Sequence, residues 1–458
     1  MSQATTFLQD AEQKAFDQGH RDRLNFNIDK YRETVDKGMT QYRDLESAKR
    51  KAKNLRWRAI EQLDAMLLEF EKNFTRNGGK VIWANDTAEA LREIDKVLQK
   101  HHTKTVVKSK SMATEELELN EHLEKANIEV FETDLGEYIV QLAGEKPYHI
   151  VTPAMHKSKE DVAQLFHEKL GTPLDLTPTA LAKVAREKLR EKYQAAEVGF
   201  TGGNFLVADS GSIAITENEG NARLSSSLPK VHIAVVGIEK MIPNLSDLGL
   251  LWPLLATHGT GQQVTVYNTI LSGPKRDNES DGPEEMYVVL LDNGRTNILA
   301  NTIQRESLFC IRCGACLNAC PVYKNIGGHS YGTTYSGPIG SVITPNLKGM
   351  EAFNHLSYAS SLCGNCTEVC PVNINLHELL LDNRKVSVAE KFTTKRERLA
   401  WTLWQRGMLN RSLMNLGNAG IKRWAMQRLF GKTWGKRKSL PEFPKKSFQQ
   451  LWKEKQSS

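Results

Sequence analysis

Seven cysteines constrain this chain more than any other feature of its sequence, because all of them lie between residues 310 and 370. The first group stands in the run CIRCGACLNACP and the second in the run CGNCTEVCP. An odd number of cysteines in one short segment does not suit the disulfide framework of a secreted protein. The pattern instead indicates thiolates that bind a metal or a metal cluster.

The first group has the spacing of a ferredoxin-type cluster motif. Its pattern, C-x2-C-x2-C-x3-C-P, is formed by Cys310, Cys313, Cys316, Cys320 and Pro321. In bacterial ferredoxins such a run binds a [4Fe–4S] cluster through its first three cysteines, and its fourth cysteine binds the other cluster of a pair. A short helical turn before the fourth cysteine directs its thiol away from the first three.

The second group repeats the first after a shift of fifty residues but lacks one thiol, since Ser360 stands where a counterpart of Cys310 is expected. The crossing of the fourth cysteine therefore predicts one complete site and one with only three thiolates. The complete site consists of Cys310, Cys313, Cys316 and Cys370, and the three-thiolate site consists of Cys320, Cys363 and Cys366.

Several interpretations of the three-thiolate site stay open at this point. It could hold a [3Fe–4S] cluster, or a [4Fe–4S] cluster completed by Ser360, by water or substrate, or by a residue from elsewhere. Structural zinc is the non-redox alternative, although zinc sites usually pair two C-x2-4-C motifs and need no proline after the cysteine. Iron–sulfur clusters imply electron transfer, one electron at a time.

The sequence has no motif for an organic redox cofactor. No G-x-G-x-x-G run follows a predicted strand, and Gly259–Gln263 is too short for a dinucleotide site. The chain also lacks the H-E-x-x-H zinc motif and the G-x-S-x-G nucleophile elbow. We therefore predict that the redox catalyst resides on another subunit.

Strand-like and helical runs alternate beyond residue 76, which predicts an α/β domain with a mainly parallel sheet. The predicted strands include Lys80–Ala84, Thr105–Ser109, Ile128–Thr133, Tyr148–Pro153, Val231–Gly237 and Glu285–Gly294, with further strand segments in Asn204–Gly220 and Gln263–Leu271. The residues before this domain read as charged helices. Their apolar stripe, which we expect to pack on the α/β domain, is Ile60, Leu63, Leu67, Phe70 and Phe74.

Four segments follow from these patterns. We predict a helical N-terminal extension over residues 1–75, an α/β domain over 76–297, a two-cluster ferredoxin-type domain over 298–385 and a basic C-terminal region over 386–458.

A second candidate site lies in the α/β domain, where polar residues surround Gly202, Gly203, Gly211 and Gly220. They are Thr201, Asn204, Asp209, Ser212, Glu217, Asn218, Glu219, Asn221 and Arg223. Glycines let a ligand approach the backbone, and the acids, amides and arginine could orient a carboxylate or phosphate, but turn formation explains the same residues. Lys108–Met112, at a predicted strand end, is another candidate anion site, with a solvated loop as the alternative.

The C-terminal region is strongly basic, whereas the whole chain carries a net charge of only +7. Residues 391–458 contain 17 Lys/Arg and 3 Asp/Glu, together with Trp401, Trp404, Trp424, Trp434 and Trp452. We expect a helical layer that docks on the body or on a partner subunit, with peripheral contact to an anionic membrane as an alternative. No nucleic acid is expected as a partner, because no RNA-binding or DNA-binding motif is present.

The expected location is the cytoplasm, with any membrane association made through partners. The early residues do not resemble a signal peptide, and the most apolar window, Leu248–Ala256, is too short to span a bilayer.

Four segments resemble the lactate-utilization protein B family. They are Lys146–Ala163, Val198–Leu248, Asn325–Pro345 and Phe443–Lys455, and the arrangement of cysteines agrees with the same family. The resemblance implies an iron–sulfur subunit of a bacterial three-protein system that oxidises L-lactate to pyruvate. Its partners would be the other subunits of that system and an electron acceptor that the sequence does not identify.

The resemblance also implies a fold and a cofactor. The fold is an α/β lactate-utilization domain of the ribose-5-phosphate isomerase and CoA-transferase class, followed by an α-helical two-cluster ferredoxin-type domain and a helical basic tail. The cofactors are two [4Fe–4S] clusters, one on Cys310, Cys313, Cys316 and Cys370 and one on Cys320, Cys363 and Cys366. Two alternatives stay open: an α/β domain that is itself catalytic on a small carboxylate or CoA ester, and a redox-sensing nucleic-acid-binding protein.

Overall fold

The computed structural model describes residues 2–414, 417–434 and 439–457, apart from the side chains of residues 414, 430 and 432–434. The chain divides into two compact units, Met1–Ser387 and Val388–Ser458. The first unit contains the α/β domain and all seven cysteines, and the second is helical. The predicted fold class, a parallel-sheet α/β domain followed by helical segments, is confirmed. The four predicted segment boundaries stay predictions.

The chain begins with four helices: α1 (Gln3–Phe16), α2 (Gln18–Met39), α3 (Leu45–Glu61) and α4 (Leu63–Arg76). The side chains of Ser2, Asp17 and Asp44 accept backbone N–H groups at the starts of the first three, which satisfies donors that a helix start leaves unpaired. The predicted apolar stripe spans α3 and α4, and every one of its residues is buried. Residues of α4 pack in one core with strands of the α/β domain, as expected.

In the part of the chain that the structure describes, ten strands form two sheets. They are β1 (Lys80–Ala84), β2 (Thr105–Lys108), β3 (Glu129–Glu132), β4 (Val198–Thr201), β5 (Phe205–Val207), β6 (Ser212–Glu217), β7 (Val231–Gly237), β8 (Met241–Ile242), β9 (Tyr267–Leu271) and β10 (Glu285–Leu291). The main sheet has the order β1-β10-β7-β4-β2-β3, and all of its pairs are parallel. A second, mixed sheet has the order β8-β5-β6-β9.

The helices of the α/β domain lie between these strands, except for the last, which follows β10. They are α5 (Thr87–Lys100), α6 (Met112–Glu116), α7 (Leu119–Lys125), α8 (Leu135–Ala143), α9 (Lys159–Leu170), α10 (Pro178–Ala195), α11 (Asn221–Ser227), α12 (Leu248–Thr260) and α13 (Arg295–Ala300). Short 3-10 helices cover Ile238–Lys240 and Leu245–Asp247. Central strands β4 and β7 are buried along their whole length, as parallel strands covered on both faces are.

The predicted strand Tyr148–Pro153 is wrong, because the structure has no strand there. The backbone carbonyl of Tyr148 accepts a hydrogen bond from the hydroxyl of Tyr323 (2.9 Å). The hydroxyl of Tyr148 lies 2.7 Å from Nε2 of His20. The segment therefore packs against the cysteine region instead of pairing in a sheet. The predicted strand over Gln263–Leu271 is also shorter than expected, since only β9 forms.

The cysteine region is built from short helices. A 3-10 helix at Gln304–Phe309 precedes the cysteines, and another covers His329–Tyr331. The α-helices are α14 (Ala315–Ala319), α15 (Tyr323–Ile326), α16 (Gly337–Lys348), α17 (Met350–Phe353), α18 (His355–Tyr358), α19 (Asn365–Glu368) and α20 (Leu376–Ala389).

The second compact unit contains α21 (Lys395–Leu409), α22 (Arg411–Met414), α23 (Ala419–Trp434) and α24 (Phe448–Ser457). Trp401, Trp404, Trp424 and Trp452 are all more than half exposed. The side chain of Trp434, which the sequence grouped with them, lies outside the described residues. Among the helices that the structure describes, none is both long enough and apolar enough to cross a membrane.

Candidate metal centre

The two cysteine groups share left-handed backbone conformations at two equivalent positions. Arg312 and Leu362 both have positive φ angles, 62° and 55°, and Gly314 and Gly364 follow with 82° and 83°. Each group then continues into a short helix that ends shortly before its last cysteine: α14 ends at Ala319 and α19 at Glu368. The repeat read from the sequence is therefore also a repeat of the fold.

The structure brings together the four thiols of the predicted complete site. Cys310, Cys313, Cys316 and Cys370 line one small cavity. Cys316 and Cys370 are buried, whereas the other two are half-buried. Burial raises the pKa of Cys370 to about 12, and the neighbouring Cys310 contributes in the same direction. Thiols of this kind lose their protons when they bind a metal.

The three remaining thiols form a second, more open group. Cys320 and Cys366 are buried and Cys363 is exposed. Burial raises the pKa of Cys366 to about 11, with further contributions from Cys320 and Cys363. Burial likewise raises the pKa of Cys320, and Cys363 adds to the effect. These three side chains are therefore electrostatic neighbours.

Backbone amides donate hydrogen bonds to the sulfur atoms of both groups. The N–H of Arg312 donates to Cys310 Sγ (3.4 Å), and the N–H of Ile374 donates to Cys370 Sγ (3.4 Å). The N–H of Tyr323 donates to Cys320 Sγ (3.5 Å). Amide–sulfur bonds stabilise thiolates and tune the potential of iron–sulfur clusters. All seven thiols are free, and this soft, all-sulfur donor set fits iron–sulfur clusters.

Ser360 occupies the position that Cys310 has in the first group. Its Oγ accepts the N–H of Leu362 (3.1 Å), two residues further on, just as Cys310 Sγ accepts the N–H of Arg312. The carbonyl of Ser360 is held by Arg384 Nη2 (3.0 Å). At this position the second group therefore has the same local hydrogen bond as the first, but its side chain offers an oxygen atom instead of a sulfur atom.

Helix α3 ties the cysteine loops to the rest of the unit, which the sequence did not reveal. Lys49 Nζ donates to the carbonyl of Glu368 (2.9 Å), and Lys53 Nζ donates to that of Asn373 (2.9 Å). One turn further on, Arg56 is completely buried beside the segment that leads into Cys310. The spacing of four and three residues, which places these side chains on one helix face, was the available signal.

A cavity of about 340 Å³ lies at the carboxyl edge of the main sheet and unites the two candidate sites of the α/β domain. The predicted site residues that line this cavity are Ser109, Lys110, Ser111, Met112, Gly202, Gly203, Asn204, Glu217, Asn218, Glu219 and Asn221. Thr201, Asp209, Ser212 and Arg223 do not belong to its lining. Sequence reasoning missed its other charged residues, Asp134, Glu239, Lys240, Arg295 and Arg312.

Some predicted residues have structural roles. The carboxylate of Glu217 accepts the N–H groups of Ala222 (2.7 Å) and Arg223 (2.8 Å) at the start of α11. Lys108 is buried and does not serve an anion, because its ammonium lies 2.9 Å from Glu115 and 2.8 Å from Glu132. The turn-forming interpretation is therefore correct for Glu217, and Lys108 drops out of the candidate anion site.

The cavity and the first cysteine group share a wall. Three residues line both the large cavity and the small cavity that is lined by the four thiols: Ile150, Arg312 and Cys313. A Cβ on Gly259, at the end of α12, would lie 3.1 Å from the carbonyl oxygen of Cys313. The carboxyl edge of the sheet and the predicted complete site are thus adjacent.

Comparison with known proteins finds two family matches. Residues 67–291 match the LUD domain, and residues 306–374 match the 4Fe-4S dicluster domain. Proteins named lactate utilization protein B, from Bacillus thuringiensis (strain Al Hakam) and Bacillus cereus (strain AH187), are each 46% identical over 365 residues, which cover 80% of this chain and 77% of each relative. A crystal structure of a DUF162 family protein from Deinococcus radiodurans overlaps 50% of this chain and 98% of its own, at 14% identity and a TM-score of 0.28.

Proposed function

This chain belongs to the lactate utilization protein B family, and we therefore propose that it is the electron-carrying subunit of a multi-protein complex that oxidises L-lactate to pyruvate. It is an iron–sulfur protein with a role in lactate utilization. The observation that supports the electron-carrying role is the sorting of seven free thiols into two adjacent groups of four and three.

The proposed ligands are the two sets that the sequence predicts. Cys310, Cys313, Cys316 and Cys370 hold one [4Fe–4S] cluster. Cys320, Cys363 and Cys366 hold the second, which takes a non-cysteine fourth ligand or has the [3Fe–4S] form. The bound clusters supply one-electron transfer, which suits the oxidation of a hydroxy acid that releases a pair of electrons.

The chain's own residues hold the thiol groups in position. The backbone N–H groups of Arg312, Tyr323 and Ile374 donate to sulfur, and the α3 cations fix the carbonyls of the neighbouring loops. Burial of Cys316, Cys366 and Cys370 excludes water from their sulfur atoms. These features hold the sites in place and keep water from their most buried sulfur atoms, which suits electron carriers.

We propose that other proteins supply the lactate-oxidising catalyst and the electron acceptor. The basic helices of the second unit are suited to docking one of them, because they carry exposed tryptophans and leucines among their cations. Trp401, Leu403 and Trp404 on α21 are each more than half exposed. Exposed apolar patches of this kind mark interaction surfaces.

The test is to purify the chain without oxygen, count its iron and reduce it. We expect about eight irons per chain, or about seven with a three-iron second cluster, and an EPR signal after reduction. Cys316→Ser should remove the signal of the first cluster, and Cys366→Ser that of the second. With its partner proteins, L-lactate should reduce the clusters, whereas the chain alone should not respond.

Two results would contradict the proposal. Iron-free protein that retains zinc would show that the thiols form a structural site. Clusters that stay oxidised when L-lactate and the partner proteins are both present would separate the chain from lactate oxidation, even if its iron content is as expected.

A further inference from the structure

We propose that the cavity at the carboxyl edge of the main sheet binds a small organic carboxylate, whose anionic group is received by Lys240 and Arg312 beside the Cys313 loop. This goes beyond the proposed function, because electron transfer through the thiol-held clusters needs no ligand site on this chain.

The position of the cavity supports a ligand site. Strands β2, β4 and β7 end next to it, and the residues that follow each strand form its wall: Ser109–Met112 after β2, Gly202–Asn204 after β4 and Glu239–Lys240 after β7. Parallel sheets bind ligands beyond the carboxyl ends of their strands. The volume of about 340 Å³ is within the usual range for small-molecule sites.

Lys240 is a buried lysine whose ammonium group makes no direct contact with an acceptor in the described part of the chain. It lines the cavity, is only 9% exposed, and forms no hydrogen bond or ion pair of its ammonium group with any residue that the structure describes. Its neighbour Glu239 is engaged by Arg295 Nε (2.5 Å) and lies 3.5 Å from Arg312 Nη2. Glu239 and the Cys310 thiolate attract this ammonium without direct contact. A buried ammonium with no direct hydrogen bond or ion pair is unfavourable, so an anion from outside the chain can supply the missing contact.

Arg312 supplies a second cation at the same end of the cavity. Its guanidinium lies over the ring of Tyr335, 4.5 Å from the ring centre, which fixes its plane. Atom Nη1 is buried and has no hydrogen-bond partner among the described residues. A planar guanidinium with a free N–H edge is well suited to a carboxylate.

Another part of the cavity lining is acidic. It includes Asp134, Glu217 and Glu219, and Glu219 accepts the N–H of Leu135 (3.0 Å). Lys110 is a cation among them, 3.9 Å from Asp134, so the three carboxylates outnumber it and disfavour a bound anion there. The charge of a bound acid is therefore directed toward Lys240 and Arg312. Apolar residues of the lining, including Ile215, Val236 and Leu255, suit a short carbon skeleton.

The shared wall gives the bound acid a defined neighbour. Arg312 and Cys313 line both the cavity and the small space between the four thiols. A carboxylate paired with Arg312 therefore lies next to the loop that holds the proposed first cluster. Binding should change the electrostatic environment of that cluster, and hence its spectrum, without any change in iron content.

The experiment uses the full-length holoprotein under anaerobic conditions, with pyruvate and L-lactate as probes and neutral lactamide as the uncharged comparison. Calorimetry should detect binding of at least one acid and not of lactamide, and the acid should shift the EPR signal of the first cluster. Lys240→Met should weaken binding by roughly tenfold or more, because a charged hydrogen bond is lost.

The matched control is Lys230→Met. Lys230 is exposed and lies at the amino end of β7, whereas Lys240 follows its carboxyl end, so this change should leave binding as in the natural protein. Lys240→Met removes an unpaired buried charge and should not lower the melting temperature. Iron content measured in parallel shows whether the clusters are intact.

Several outcomes would overturn the ligand site. Holoprotein with full iron that binds neither acid would do so while leaving the electron-carrying role in place. Equal binding of lactamide, equal loss in Lys230→Met, or unchanged binding in Lys240→Met would remove the proposed role of charge. Binding of inorganic phosphate without either carboxylate would show that the ligand class is wrong.

Discussion

At the scale of single residues, Arg56 is a completely buried charge that links separate segments of the first unit. Its guanidinium donates to the carbonyls of Phe309 (3.2 Å), Leu308 (3.0 Å) and Met241 (2.6 Å), and also to that of Glu239. Burial lowers the pKa of Arg56 to about 10, so it stays charged at neutral pH. One side chain thus donates hydrogen bonds both to the segment before Cys310 and to the segment around β8.

We predict that Arg56→Met lowers the free energy of unfolding by about 3 kcal/mol, because several buried carbonyls lose their donor. Anaerobic chemical denaturation of the holoprotein measures this difference. Arg58→Met is the control, since Arg58 is exposed on the same helix and its loss should change stability by less than about 0.5 kcal/mol. Equal effects of the two changes would show that the carbonyl contacts of Arg56 do not stabilise the fold.

At the scale of elements, the repeated cysteine loops offer different donor atoms at their first ligand position. Ser360 has an oxygen atom where Cys310 has a sulfur atom. In each loop this atom accepts a hydrogen bond from the backbone N–H two residues further on. In a [4Fe–4S] cluster with three thiolate ligands, the iron that has no thiolate is the one most easily lost on oxidation. The second loop is therefore expected to be the weaker of the two proposed cluster sites.

We predict that Ser360→Cys makes the second cluster resistant to oxidation, because the added thiolate binds the iron that otherwise lacks one. Limited oxidation should convert part of the natural protein to a three-iron form with its own EPR signal, and the variant should show little of it. Ser361→Cys, at the exposed neighbouring position, should behave like the natural protein. The same oxidative loss in Ser360→Cys would argue against a ligand position at residue 360.

Elements whose sequence signal is local could be predicted well. The strands at Lys80–Ala84 and Val231–Gly237 have the predicted bounds, and the paired cysteine loops follow from spacing alone. Elements that depend on distant partners could not be predicted. Tyr148–Pro153 has the composition of a strand, but contacts with Tyr323 and His20 decide its conformation.

The candidate ligand cavity shows the same limit. Its polar loops after β2 and β4 could be found from the sequence, because glycines and short polar runs follow predicted strands. Lys240 and Arg312 could not be assigned to it, since one follows a different strand and the other lies in the cysteine loop. Only the fold shows that these residues meet.

At the scale of the whole molecule, stability depends on pH through buried histidines that stay neutral in the folded chain. His232 on β7 is completely buried, and its Nε2 lies 2.8 Å from Thr201 Oγ1. Burial lowers its pKa to about 3, from an ordinary value of 6.5. Between these values the unfolded chain binds a proton that the folded chain does not, so stability falls as the pH falls below about 6.5.

We predict that His232→Gln makes stability less dependent on pH in this acid range. Removal of the His232 imidazole should reduce the change of unfolding free energy with pH by up to about 1.4 kcal/mol per pH unit between pH 6 and 4. Denaturation series across this range measure the slope. His102→Asn, at an exposed left-handed turn that asparagine tolerates, should keep the natural slope, and an unchanged slope in His232→Gln would contradict the linkage.

The contacts of α3 have a consequence for how the protein is made. Lys49 and Lys53 donate to carbonyls that lie 319 and 320 residues further along the chain. A ribosome therefore completes this early helix long before it produces the loops that the helix braces. Until residue 373 has been made, one of these contacts is missing and the thiols lack part of their support, so metallation is expected only after the whole cysteine region has been synthesised.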